Sequence, residues 1–152
     1  MIFVILEDDY LQTESLEQLL KKEFPRSKII KLSTEYEFRM FADNINIDKS
    51  DESYVFIIDV MMRWTDPSPD APKAPKDVVT GGFEKAGFRI EQILNKKIDL
   101  EKDHIILYTI LEESVLHEDL ENKNSYTKFI PKNGDHVLII DHIKSLKLLR
   151  NK

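Results

Sequence analysis

Tyr54-Val55-Phe56-Ile57-Ile58-Asp59-Val60-Met61-Met62 decides how the chain is read. Five apolar residues run from Tyr54 to Ile58, with polar Asp51, Glu52 and Ser53 ahead of them. A run that short and that uniformly apolar is a strand buried on both faces, the kind found in parallel sheets. Asp59 stands where the run ends. Open α/β sheets bind ligands beyond the carboxyl ends of their strands, so Asp59 is placed where chemistry is placed. The ordinary role of a lone acid there is a helix cap. Ile2-Phe3-Val4-Ile5-Leu6 repeats the pattern and ends in Glu7, Asp8 and Asp9. If the two strands are parallel neighbours, three or four carboxylates meet at one sheet edge. Crowded like charges raise one another's pKa, and a hard divalent cation with oxygen ligands, Mg²⁺ above all, relieves them.

From there the chain alternates strand and helix. Asp9 with Gln12 three residues on reads as a helix N-cap, and Leu16, Leu19, Leu20 and Phe24 recur at helical spacing before Pro25. Lys28 to Leu32 is a second strand, and Ser33 or Thr34 caps a short helix with Phe38 and Phe41 facing the core. Asn44 to Ser53 is a polar connection into the Asp59 strand. Residues 63–82 carry Trp64, four of the six prolines and the pair Gly81-Gly82, a density that predicts a long loop without helix or central strand. That loop starts beside the acids. Trp64 in it packs over the pocket, anchors a partner, or fills a gap under the loop. Helical spacing resumes at Phe88, Ile90, Ile93 and Leu94. His104 to Ile110 is a fourth strand with Thr109 near its end, and Leu111 to Leu120 a short acidic helix. Thr127 to Ile130 is a fifth strand followed by Pro131-Lys132-Asn133-Gly134. Asp135 then caps a last helix with Val137, Ile140, Ile143 and Leu146 on its apolar stripe.

Five βα units with right-handed crossovers make a doubly wound α/β sheet. The expected arrangement is a five-stranded parallel sheet of order 2-1-3-4-5, a flavodoxin-like three-layer sandwich over residues 1–152 as one domain. That order sets Glu7, Asp8 and Asp59 side by side at the switch between strands one and three. Thr109 and Lys132 end the next two strands on the same rim. Acids, a hydroxyl and a lysine suit phosphoryl transfer onto a carboxylate.

Composition narrows the remaining classes. With 33% charged and 41% hydrophobic residues the chain has the make-up of an ordinary soluble globular protein. A net charge of -6 and no long basic run argue against direct nucleic-acid binding. The lack of cysteine excludes disulfides, thiolate metal sites and cysteine nucleophiles. No apolar run is long enough for a bilayer and the N-terminus lacks signal-peptide features, so no membrane association and a cytoplasmic location are expected. The four histidines (His104, His117, His136, His142) show no metal-ligand spacing and read as surface or satisfied groups. The Lys144-Lys147-Arg150-Lys152 tail reads as a solvated helix end.

These residues resemble the receiver domain of two-component response regulators. The likeness is carried by Glu7-Asp8, by Asp59-Val60-Met61-Met62, by Thr109 and Lys132 after the fourth and fifth strands, and by Gly87 leading the helix Phe88 to Leu94. It implies that Asp59 accepts a phosphoryl group from a histidine kinase or a phosphotransfer protein. It implies Mg²⁺ held by Glu7, Asp8, Asp59 and the Met61 carbonyl. Thr109 would follow the phosphoryl group, and Phe129 stands at the family's aromatic switch position. The chain would then be a phosphoprotein signalling domain rather than an enzyme with turnover, and the likeness allows a homodimer through the last helices. No output domain follows the last helix, so a stand-alone receiver signalling through altered protein contacts is expected.

Three positions depart from the family. Arg63 stands where a proline is usual, Ile110 where a small residue is usual, and Asn133 where a proline with a cis bond follows the lysine. A cis bond before a non-proline residue costs roughly 3 kcal/mol, so this turn is expected to be built differently. Two alternatives compete. One is a pseudo-receiver interaction module with Trp64 and the loop as its contact. The other, ranked lower, is an Mg²⁺-dependent phosphatase-type hydrolase. It wants a second acid two residues after the nucleophile, where this chain has Met61.

Overall fold

A computed structural model describes residues 1–45, 51–99, 101–123 and 125–150, with side chains described as far as residue 146. Each apolar run becomes a strand: β1 (Ile2–Leu6), β2 (Lys28–Leu32), β3 (Tyr54–Ile58), β4 (His104–Thr109) and β5 (Lys128–Pro131). They form one all-parallel sheet of order β2-β1-β3-β4-β5. Every residue of β1 and β3 is buried, because helices cover both faces of the sheet and leave no side for alternation.

The helices are α1 (Tyr10–Glu23), α2 (Glu35–Asn44), α3 (Lys76–Gly81), α4 (Ala86–Leu94), α5 (His117–Glu121) and α6 (Val137–Arg150). Strand alternation sorts the core into two layers. Phe3, Ile5, Val55, Ile57 and Tyr108 pack with Leu16 and Leu20 of α1 and Ile139, Ile140 and Ile143 of α6. Val4, Leu6, Phe56, Ile58 and Leu107 pack with Phe38 of α2 and Ile90 and Leu94 of α4. The doubly wound three-layer arrangement expected from the alternation of elements is the one formed. Among the described residues no helix is long and apolar enough to cross a membrane.

Local signals hold at several ends. Asp9 caps α1, accepting from the Leu11 and Gln12 amides, and Thr34 caps α2, accepting from the Glu37 amide. Three expectations need correction. The 63–82 segment contains α3, because Pro75 takes the position ahead of the first turn and no proline follows it up to Gly81. The helix expected over Leu111 to Leu120 is confined to His117–Glu121. The Val115 and Leu116 amides instead close short turns onto Glu112 and Glu113. At α6 the Asp135 carboxylate does accept from the Val137 amide, but His136 lies between them with a φ of 59°. Part of the polar connection Asn44 to Ser53, and Lys147, Arg150 and Lys152 of the basic tail, fall outside the described side chains.

Residues 63–82 are held mainly against α2, and Arg63 at their start reaches Asp8. The Arg63 and Trp64 carbonyls accept from the Glu35 and Tyr36 amides, meeting two first-turn N–H groups of α2 that have no partner within the helix. The Trp64 ring packs edge-on against Tyr36 at 5.5 Å and under the Arg39 guanidinium at 5.4 Å, and its indole N–H donates to the Pro72 carbonyl. Trp64 thus fills the space under its own loop. A buried carboxylate locks the arrangement. Glu35, wholly buried, takes a two-pronged pair from Arg89 (3.0 and 2.6 Å) and a third bond from Arg39 (2.8 Å). Arg39 in turn reaches Asp77 of α3 at 2.6 Å, and Arg89 donates to the Gly82 carbonyl.

Candidate functional site

Strand register builds the site. Leu6 pairs with Ile58, so the next residues, Glu7 and Asp59, emerge level with each other from neighbouring strands. The ladder continues one step further: the Asp59 amide donates to Leu6 O, and the Glu7 amide to Leu32 O. Both carboxylates are nearly buried. At the far side, Thr109 is level with Pro131, and the Lys132 amide donates to Thr109 O at 2.9 Å. The Lys132 side chain crosses the end of β4, and its ammonium lies between the two acids. It is 2.7 Å from Asp59 Oδ2 and bonded closely to Glu7 Oε2. Its side chain is only 6% exposed, so this is an ion pair screened from water.

One ammonium serves two carboxylates. Burial, then the Asp59 charge, push the Glu7 carboxyl above its usual range, against the opposing pull of Lys132. Burial alone would lower the Lys132 ammonium, but Asp59 and Glu7 outweigh it and hold the pKa above its usual value. Glu7 also accepts from the Asp9 amide at 3.0 Å, and Asp59 Oδ1 accepts from the Met61 amide at 3.3 Å.

Beneath Asp59, helix α4 approaches closer than any side chain would permit. A Cβ on Gly87 would stand 2.6 Å from Asp59 O and 2.7 Å from the Val60 Cα. The Gly87 amide donates to Val60 O, and the Met62 amide to Phe83 O, so the turn after Asp59 is tied to α4 and the segment ahead of it. The fixed place of Asp59 thus depends on a residue with no side chain.

A cleft of about 310 Å³ opens over the acids, lined by Glu7, Asp8, Asp59, Met61, Lys132 and, at its rim, Phe83 and Ile110. The predicted set assembles only in part. Glu7, Asp59 and Lys132 meet directly. Asp8 lines the cleft but faces Arg63, whose guanidinium is 3.8 Å from its carboxylate and 3.4 Å from its carbonyl. Asp9 is spent on its cap. Thr109 is fully buried with its hydroxyl accepting from the Leu111 amide at 3.4 Å, and it does not line the cleft. Phe129 is half-buried against the core layer of α2 and α4. Ile110 is exposed and lines the cleft.

The fit to a divalent cation is divided. Two buried carboxylates sharing one ammonium leave uncompensated negative charge, which suits a hard cation. Among the described residues, however, no three His, Cys, Asp or Glu side chains are grouped as a metal site requires. Two acids converge rather than the three or four expected, because Lys132 takes the space between them and Arg63 draws Asp8 aside.

Sequence reasoning passed over the Glu35, Arg39 and Arg89 cluster, whose key partners lie 54 positions apart with no local signal. Of the two expectations for His136, surface or satisfied, the second is met. His136 is buried, with Nδ1 2.7 Å from the Tyr108 hydroxyl and Nε2 3.0 Å from the Ser15 hydroxyl.

No protein-family model matches the chain, and no curated protein matches it in sequence. It is similar to a solved structure described as a yeast trimeric coiled coil fused to another structure. That likeness has a TM-score of 0.61 and 13% identity, covering 99% of this chain and 79% of that one. At that identity it speaks for the fold alone.

Proposed function

We propose that this chain is a receiver-type phosphorylation switch whose acceptor is Asp59. The observation that carries the reading is the Lys132 ammonium held between the Asp59 and Glu7 carboxylates at the switch point of the sheet. In the proposed step an Asp59 carboxylate oxygen attacks the phosphorus of a phosphohistidine. The new bond is an acyl phosphate, the phosphorus–nitrogen bond breaks, and the leaving imidazole keeps its electron pair and takes a proton from water. Lys132 meets the incoming phosphoryl oxygens and loses no charge. Glu7, level with Asp59, keeps the ammonium at that place. The Thr109 hydroxyl would have to leave the Leu111 amide to reach the phosphoryl group, a motion that fits the switching role implied by the resemblance. Mg²⁺ bound by Glu7, Asp8, Asp59 and the Met61 carbonyl would offset charge on the phosphoryl oxygens. For Asp8 to join such a site its carboxylate would have to turn from Arg63.

The experiment is intact mass after incubation with acetyl phosphate and Mg²⁺, for wild type and Asp59→Asn. One added phosphoryl group in the wild type alone supports the reading. Equal labelling of both proteins sinks it. A second reading, a receiver fold used as a binding module, is favoured by one observation: Asp8 is engaged by Arg63 rather than grouped with the other acids. No labelling in the wild type, from either acetyl phosphate or a phosphorylated histidine donor, would select it.

A further inference from the structure

The turn that carries Lys132 is built without the proline expected after the lysine, and something else must hold it. Residues 132–136 contain two left-handed positions, Gly134 at φ 87° and His136 at φ 59°. A Cβ at Gly134 would meet nothing within 4 Å, so the glycine is needed for conformation and not for space. His136 has no such freedom, and a left-handed non-glycine residue is retained only where its surroundings over-determine it.

Those surroundings are specific. The imidazole is 3% exposed. Its two nitrogens meet two hydroxyls, Tyr108 Oη from β4 and Ser15 Oγ from α1. A neutral imidazole carries one donor and one acceptor nitrogen, which two hydroxyls complement. Burial and the nearby Lys132 charge both lower the His136 pKa, and burial pushes the Tyr108 phenol up to about 12, so both groups are uncharged at neutral pH. Tyr108 touches both partners. Its hydroxyl is on His136 and its ring lies 5.8 Å from the Lys132 ammonium. Glu7, Asp59, Lys132, Tyr108 and His136 line one small cavity together with apolar residues of β1, α1 and β3, so the two groups face the same confined space.

We propose that Tyr108 and His136 are positioning residues for Lys132. Pinned to β4 and α1, the imidazole fixes the start of α6 and the turn before it, while the Tyr108 ring floors the path of the lysine side chain. Lys132 is thereby set between Glu7 and Asp59 rather than free to extend into the cleft. The consequence for phosphoryl acceptance rests on the receiver reading; the positioning itself does not.

The test follows Lys132 directly. Acylation of its amine by acetic anhydride is timed by peptide mass mapping in wild type, Tyr108→Phe and His136→Asn. Asparagine tolerates a left-handed backbone but cannot span the two hydroxyls. The control is Leu94→Ala, in the opposite core layer, which loosens the fold without touching the turn. Lys132 should react about fivefold faster in both site variants, the order of one lost hydrogen bond, and at the wild-type rate in the control. Acetyl phosphate labelling of Asp59 should slow in the same two variants. Lys132 acylation unchanged in Tyr108→Phe, or raised equally by Leu94→Ala, overturns the proposal. If the wild type takes no phosphoryl group, the receiver reading fails while the acylation arm still decides the positioning.

Discussion

Two charge clusters in this fold, each centred on a buried side chain, are near mirror images. At the sheet edge, one cation, Lys132, is shared by two carboxylates, Glu7 and Asp59. Across α2 and α4, one carboxylate, Glu35, is shared by two cations, Arg89 and Arg39, and Asp77 supplies the second negative charge. The second cluster is balanced. Its geometry is two-pronged, its partners come from α2, α3 and α4, and it holds the 63–82 segment in place. Even there the Arg39 Nε stays buried with no acceptor. The first cluster is left one positive charge short and opens into a cleft. A balanced cluster that ties α2, α3 and α4 together is a latch. An unbalanced one beside a cleft retains a reactive carboxylate and a reason to take up a cation or exchange partners.

The comparison is broken most severely by removing a sole cation. Lys132→Ala should destabilise the protein by about 3–5 kcal/mol at neutral pH, since both acids lose the one ammonium they share and keep only a single amide donor each. Urea titration checks it, and a loss below that of any surface lysine would contradict the shared-cation geometry. Arg89→Ala should cost less, about 3 kcal/mol, because Arg39 still pairs with Glu35. It should also free the 63–82 segment, seen as faster amide exchange at residues 76–82, whereas Lys132→Ala should leave those amides unchanged.

Gly87→Ala sharpens the contrast on the site's side. The added methyl has no room against Asp59 O, so a loss of about 1–3 kcal/mol is expected, with slower labelling of Asp59. The smallest effect has the opposite sign. Asp59→Asn turns the unbalanced cluster into a one-to-one pair and should stabilise the protein by about 1 kcal/mol at pH 7. The pH dependence follows from Glu7. Its folded-state pKa is raised above 4.5, so the folded protein binds that proton more tightly than the unfolded chain, and stability falls as pH rises through the raised value. The advantage of Asp59→Asn should therefore be present at pH 7 and shrink as Glu7 becomes protonated. Paired denaturation curves from pH 7 down to about 4.5 measure it, and an advantage that grows on acidification would refute the like-charge account.

The strand order followed from the doubly wound pattern of five βα units. The sequence by itself determined the strands, the helix cap at Asp9 and the choice of Ser33 or Thr34 as the cap of α2. These depend on apolar runs and on side chains bonding amides two or three residues away, information that is local. It also placed Glu7, Asp59 and Lys132 at strand ends, because a strand's end is where its apolar run stops. Only the tertiary structure decided which of the acids meet. Register brings Glu7 level with Asp59, Lys132 then takes the space between them, and Arg63 draws Asp8 away. The Glu35 latch and the Tyr108–His136–Ser15 chain were equally illegible. Each is held by groups tens of residues apart, whose bonds form only because packed helices and strands deliver them within 3 Å and out of water's reach.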